Sequence, residues 1–184
     1  MRMKFNNLVE LHVKKTTKDK IILTDEIFCT RSYPNHPKGC PNFSKKPLCP
    51  PNTEKINLDK YNDYILFYIK FNFKEYYELR KKEHPNWTDK QVKCVLYWQG
   101  AVRKILKEAL FEFCKEYIYY NKYDLFLCVS DIYGYPSMEA VGINVFSTMR
   151  LNGVKMEINP VNNIYLVSLI CIKEREQAKL INIL

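Results

Sequence analysis

Glycine is scarce in this chain, at 5 of 184 residues. Loops that cradle phosphate rely on glycines to bring backbone amides close to the anion, and neither a Walker loop nor a dinucleotide-binding fingerprint is present. No Ser–His–Asp arrangement is recognisable, and the chain has only 3 histidines. No apolar run reaches the roughly 18 residues that cross a bilayer, so no membrane partner is expected. Met1-Arg2-Met3-Lys4-Phe5 carries no signal-peptide core, and the expected location is the cytoplasm. Internal repeats and domain-separating linkers are also missing. With 47% hydrophobic and 14% aromatic residues, the whole chain, 1–184, is expected to form one domain with a substantial core.

Cysteine is abundant, and its placement is uneven. Three of the 7 cysteines, Cys29, Cys40 and Cys49, lie in a proline-, lysine- and asparagine-rich segment, and Cys40-Pro41 and Cys49-Pro50-Pro51 put proline directly behind two of them. Such a segment, here 29–52, has too little apolar surface to pack a core, whereas a metal tying thiolates together would give it a shape. In a reducing compartment clustered cysteines are more often metal ligands or redox thiols than disulfides. The paired Cys-x2-Cys knuckles of structural zinc sites are absent. Soft thiolates at wider spacing suit an iron–sulfur cluster, and zinc remains the alternative. A fourth ligand is expected from Cys128, near the C-terminal end of a predicted central strand, where α/β folds place their sites. His36, inside the loop, is the second candidate. If no fourth ligand exists, one iron stays open to bind substrate as a Lewis acid. Cys94, Cys114 and Cys171 read better as small buried hydrophobes.

Net charge is +9, and residues 1–55 hold 11 Lys/Arg against 5 Asp/Glu. A basic surface attracts nucleic acid or smaller anions. With no arginine-rich tract and charges mixed along most of the chain, the lysines read better as a solvated surface than as a nucleic-acid interface. A zinc module binding single strands through a basic groove and stacked tyrosines is the alternative function.

Leu8–Val13 and Lys20–Phe28 look extended, with a polar turn between them. Tyr64–Phe71 is almost continuously aromatic and β-branched, as in a strand buried on both faces. Phe73–Glu83 reads as a charged helix stopped by Pro85. Thr88-Asp89-Lys90-Gln91 is a capping box, with Trp87 and Val92 at the staple positions. Val95, Trp98, Val102, Ile105, Ala109, Phe113 and Tyr117 then mark one face of a long helix. Asp124–Val129 is a predicted strand and Ser130–Pro136 a loop. Ser137 is placed to cap a helix from Met138 to about Leu151, its N-terminus toward a cluster or an anionic ligand. Asn152-Gly153 ends that helix, and Ile164–Ile172 is a further strand. This order predicts an α/β sandwich with a mixed central sheet flanked by helices, plus the cysteine/proline loop.

Two segments carry a resemblance. Cys40-Pro41-Asn42-Phe43-Ser44 followed by Cys49-Pro50-Pro51 is similar to the Cys-Pro-x-Tyr-Gly…Cys-Pro-Pro signature of a largely uncharacterised family of predicted metal-binding proteins. Pro136-Ser137-Met138-Glu139-Ala140-Val141-Gly142-Ile143-Asn144-Val145 resembles that family's Pro-Ser-Met-Glu-Ala-x-Gly-Ile-Asp-Val signature. The resemblance implies that Cys40 and Cys49 are metal ligands, with Cys29 in place of the family's upstream cysteine, which usually sits in a Cys-x-x-Cys pair. Phe43 and Ser44 replace the family's Tyr and Gly. Family members often carry several cysteines before the second signature, whereas here Cys128 is alone, which implies one cluster and not two. The expectation is therefore a protein with one [4Fe-4S]-type cluster on Cys29, Cys40, Cys49 and Cys128. Its role would be in redox chemistry or in activating a small anionic or sulfur-containing substrate.

Overall fold

Strand β2 (Asp63–Asn72) divides its side chains between two cores. Tyr64, Leu66 and Tyr68 enter one hydrophobic cluster, and Phe67, Ile69 and Phe71 enter another, as the two-residue period of a strand requires. The computed structural model describes residues 5–32, 37–47, 49–120, 132–135 and 137–173, with backbone alone at 114–120 and 132. Strand β4 (Asn163–Ile172) pairs with β2 along its whole length and alternates likewise, with Val167, Leu169 and Cys171 on the first side and Leu166 and Ile170 on the second. Strand β1 (Val9–Thr16) flanks β2, and the short β3 (Ile132–Tyr135) flanks β4. The sheet order is β1-β2-β4-β3. All its pairings are antiparallel, which corrects the expectation of a mixed sheet. The α/β class stands.

One face is covered by helices. Helix α1 (Phe73–Glu83) follows β2 directly, and Asn72 caps it by accepting from the Glu75 amide at 3.1 Å. The capping box forms at Thr88–Gln91, but the helix it starts, α2 (Asp89–Val92), lasts one turn. A 3-10 turn at Val95–Tyr97 follows, and helix α3 (Gln99–Tyr120) completes the run. The expected single helix is therefore interrupted where Trp98 enters the core, stacking on Phe71 at 5.3 Å and meeting Phe73 edge-on at 5.7 Å. Trp87 stacks between His84 and Tyr97. Val102 and Leu106 of α3 bury themselves against the sheet.

The other face is covered mostly by irregular chain. Ile21, Ile56 and Leu58 pack with Met138, Val141 and Ile143, and helix α4 (Val145–Leu151) adds Val145 and Met149. The predicted strand at 20–28 is not formed. The Ile22 carbonyl accepts from the Asn144 amide (2.8 Å), and the Ile22 amide donates to the Thr148 hydroxyl (3.0 Å). Only Leu23↔Ile143 makes a β-bridge. The predicted helix from Met138 to Leu151 is broken as well. A 3-10 turn, Met138–Val141, ends at Gly142, whose φ of +82° is left-handed. Asn144 then caps α4 by accepting from the Ser147 amide at 3.0 Å. Asn152 and Gly153 stop α4 as expected, Gly153 at φ +77°. Within Ser130–Pro136, read as loop, residues 132–135 add β3 to the sheet. The predicted strand Asp124–Val129 lies outside the described residues. Among the described residues, no helix is long and apolar enough to cross a membrane.

Candidate metal centre

Cys29 sits in a 3-10 turn, Phe28–Thr30, that packs against the Met138–Val141 turn. The backbone brings Cys40 to it, because the Cys40 amide donates to the Cys29 carbonyl at 2.7 Å. Gly39 makes this approach possible. Its φ is +82°, and a Cβ there would lie 2.4 Å from the Cys29 carbonyl oxygen and 3.0 Å from the Thr30 carbonyl carbon. Both obstacles are backbone, so no side-chain movement relieves them.

From Cys40 to Asn52 the chain is folded by local hydrogen bonds in place of a core. The Phe43 amide donates to the Cys40 carbonyl (3.1 Å), Ser44 to Pro50 (2.8 Å), Cys49 to Lys46 (3.0 Å) and Asn52 to Cys49 (3.0 Å). The Asn52 side-chain amide donates to the carbonyls of Ser44 and Lys46, both at 3.2 Å. Ser44 adopts φ +60°, a left-handed conformation that an L-residue enters at a cost.

The Cys29 thiol senses its neighbours. Burial pushes the Cys29 thiol up, and the neighbouring Cys40, Cys49 and Glu139 push it further. Each of these three neighbours disfavours negative charge on Cys29, a penalty that a bound cation would reverse. Among the described residues, no three His, Cys, Asp or Glu side chains are placed closely enough to hold a metal ion. Soft donors on one loop nevertheless suit a sulfur-ligated group chemically. Cys128 and His36 lie outside the described residues. Cys171 is buried in β4, its thiol pushed up to about 12 by burial, in keeping with a core residue. Cys94 is half-buried at the start of the Val95–Tyr97 turn, and the Cys114 side chain lies outside the described ones.

Beside the loop a cavity of about 590 Å³ runs along β4, from Ile164 to Val167. This is the stretch of β4 beyond the end of β3, which pairs only with Leu169–Ile172. Helix α3 forms one wall, and the cysteine loop, with Cys49, and the Met138–Val141 turn form another. Glu139 reaches water through this cavity, yet the surrounding protein pushes its carboxyl pKa up, opposed by a backbone hydrogen bond and by Arg103. The expected helix N-terminus at Ser137 is replaced by the one-turn 3-10 segment, and the Ser137 side chain makes no capping bond.

Sequence reasoning passed over Gly39, although a glycine directly before Cys40 in a glycine-poor chain was a visible signal. Arg103 and Lys107 of α3 were not singled out either. Their spacing of four marked a shared face, but nothing in the sequence marked a cavity beside it.

The model of a family described as "Predicted metal-binding protein (DUF2284)" matches residues 20–172. No curated protein and no solved structure matches the chain.

Proposed function

The chain belongs to this family of predicted metal-binding proteins, and from that premise we propose that it is a cytoplasmic iron–sulfur protein carrying one [4Fe-4S]-type cluster. Cys29, Cys40 and Cys49 are the proposed ligands in the described part of the site, with Cys128 as the fourth. The observation that carries the proposal is the backbone contact that holds Cys40 against Cys29, with Cys49 on the same loop. Cys40 is hydrogen-bonded to Cys29, and Cys29 is raised by both other thiols.

Zinc and a cluster ask for different thiolate spacings. Thiolates on one tetrahedral zinc stand about 3.8 Å apart, given a Zn–S bond near 2.3 Å. A four-iron cluster holds each thiolate on a separate iron and so accepts a wider set. Cys40 and Cys49 each lie within electrostatic reach of Cys29, and among the described residues no three such side chains are close enough for one ion. When bound, such a cluster supplies one-electron chemistry or, with an open iron, a Lewis acid. The chain's own contribution is to hold Cys40 against Cys29 and to place Cys49 on the wall of the cavity.

Anaerobic purification with a visible spectrum and iron, sulfide and zinc analysis tests the proposal. A brown protein with about four irons and matching sulfide per chain, lost in Cys40→Ser, is the expected result. A colourless protein with about one zinc overturns it and brings nucleic-acid binding forward as the next assay. Cys128→Ser separates the two cluster roles. Cluster loss identifies Cys128 as the fourth ligand, and retention that persists when His36 is also replaced assigns an open iron.

A further inference from the structure

The cavity beside Cys49 has a charge and a shape that the metal proposal leaves unused. Its lining carries three cations, Lys46, Arg103 and Lys107, against one carboxylate, Glu139. None of the three cationic groups forms an ion pair within 4 Å among the described residues, although the Arg103 charge acts on Glu139, whereas Lys104, on the same helix and off the cavity, pairs with Glu108 at 3.7 Å. Trp98 also lines the cavity and is 5% exposed. Trp98 stands immediately before α3, so the positively polarised end of a 22-residue helix with no acidic residue in its first turn lies at the same wall. Much of the remaining lining is apolar, including Leu106, Met156 and Leu166. The volume, about 590 Å³, falls in the range of small-molecule pockets.

We propose that this cavity binds a small organic anion, an apolar body ending in a carboxylate, held by the Arg103 guanidinium. Arginine presents a planar fork that matches a carboxylate. Lys46 and Lys107 supply unpaired positive charge, and the apolar lining takes the body. Because Cys49 is on the wall, the ligand lies beside the proposed metal centre. The proposal names a ligand class for that site, and rests on the metal reading only for what the bound anion undergoes.

Binding of the fluorescent anion anilinonaphthalene sulfonate to the purified protein tests it. Saturable binding that benzoate displaces and the neutral isostere benzamide does not is expected. Arg103→Met is expected to weaken dye binding about tenfold, the loss of one charge-assisted hydrogen bond, while Lys104→Met leaves it unchanged. Equal affinity in Arg103→Met and Lys104→Met, or equal displacement by benzamide and benzoate, overturns the proposal. Running the same titration on Cys40→Ser keeps the two readings apart. Dye binding there is expected to persist, and the metal content of that variant judges the metal centre alone.

Discussion

The two faces of the sheet are held by different physics. On one, α1 and α3 lay an aromatic cluster on the strands: Phe71 contacts Trp98, Tyr76 and Phe73 with ring centroids 5.3 to 6.2 Å apart. On the other, the chain from Ile21 to Leu58 crosses the sheet with few regular elements, anchored by Ile21, Ile56 and Leu58. Its outer part, from Cys29 to Asn52, has single hydrogen bonds and one cramped glycine where the first face has side-chain packing. Aromatic packing holds a structure without help. A loop with half-buried cysteines and exposed lysines needs another source of cohesion, and a metal at the thiols would supply it.

The contrast can be broken from either side. Phe71→Ala, in the fully buried core, is expected to cost about 3–5 kcal/mol of global stability, read by denaturant unfolding, with metal content per folded chain unchanged. Gly39→Ala is expected to cost less, about 1–3 kcal/mol of local strain, but to remove most of the bound metal, because Cys40 can no longer approach Cys29. Metal analysis beside circular dichroism separates the two outcomes. A Gly39→Ala protein that keeps its metal would show that the hinge is not part of the site. Ser44→Gly sharpens the contrast in the opposite direction. Relieving the left-handed serine is expected to stabilise the loop by about 1 kcal/mol, read as slower metal loss to a chelator.

The smallest effect concerns the thiols themselves. Cys171 is held near 12 by burial, above the ordinary thiol value of about 8.5. A folded-state value above the unfolded one means that the stability from the protonated thiol is complete below about pH 8.5. It is lost as pH rises toward the folded value. At about pH 8 in metal-free protein, iodoacetamide is therefore expected to label the half-buried loop cysteines and to spare Cys171 until denaturant is added. Mapping the modified peptides checks this.

The same contrast explains what could be read from the sequence. Phe73–Glu83 matched its helix residue for residue, and Tyr64–Phe71 and Ile164–Ile172 matched their strands to within a residue or so. In each, burial repeats with the element's own period. The broken helices were not legible, because each break answers a contact distant in sequence. Trp98 turns inward to reach Phe71 and Phe73. Gly142 sits against Lys55 and the Thr24 carbonyl, where a Cβ would come within 3.2 to 3.4 Å. Lys20–Phe28 looked extended, but its backbone groups are taken by Asn144, Thr148 and Gly142. The site was partly legible. Cys29, Cys40 and Cys49 were visible as types and spacing, and the structure adds the Gly39 hinge. The cavity was invisible, because it arises where β3 ends short of β4, a fact of pairing that no local pattern records.

Hydrogen exchange, resolved by peptide and run on the metal-loaded protein before and after chelation, tests the central claim most directly. The account predicts that removing the metal deprotects the peptides spanning the loop from Cys29 to Asn52 and leaves β2 and β4 as protected as before. Unchanged protection of the loop after complete metal removal would contradict it, and would show that this segment holds its shape without the thiols being tied.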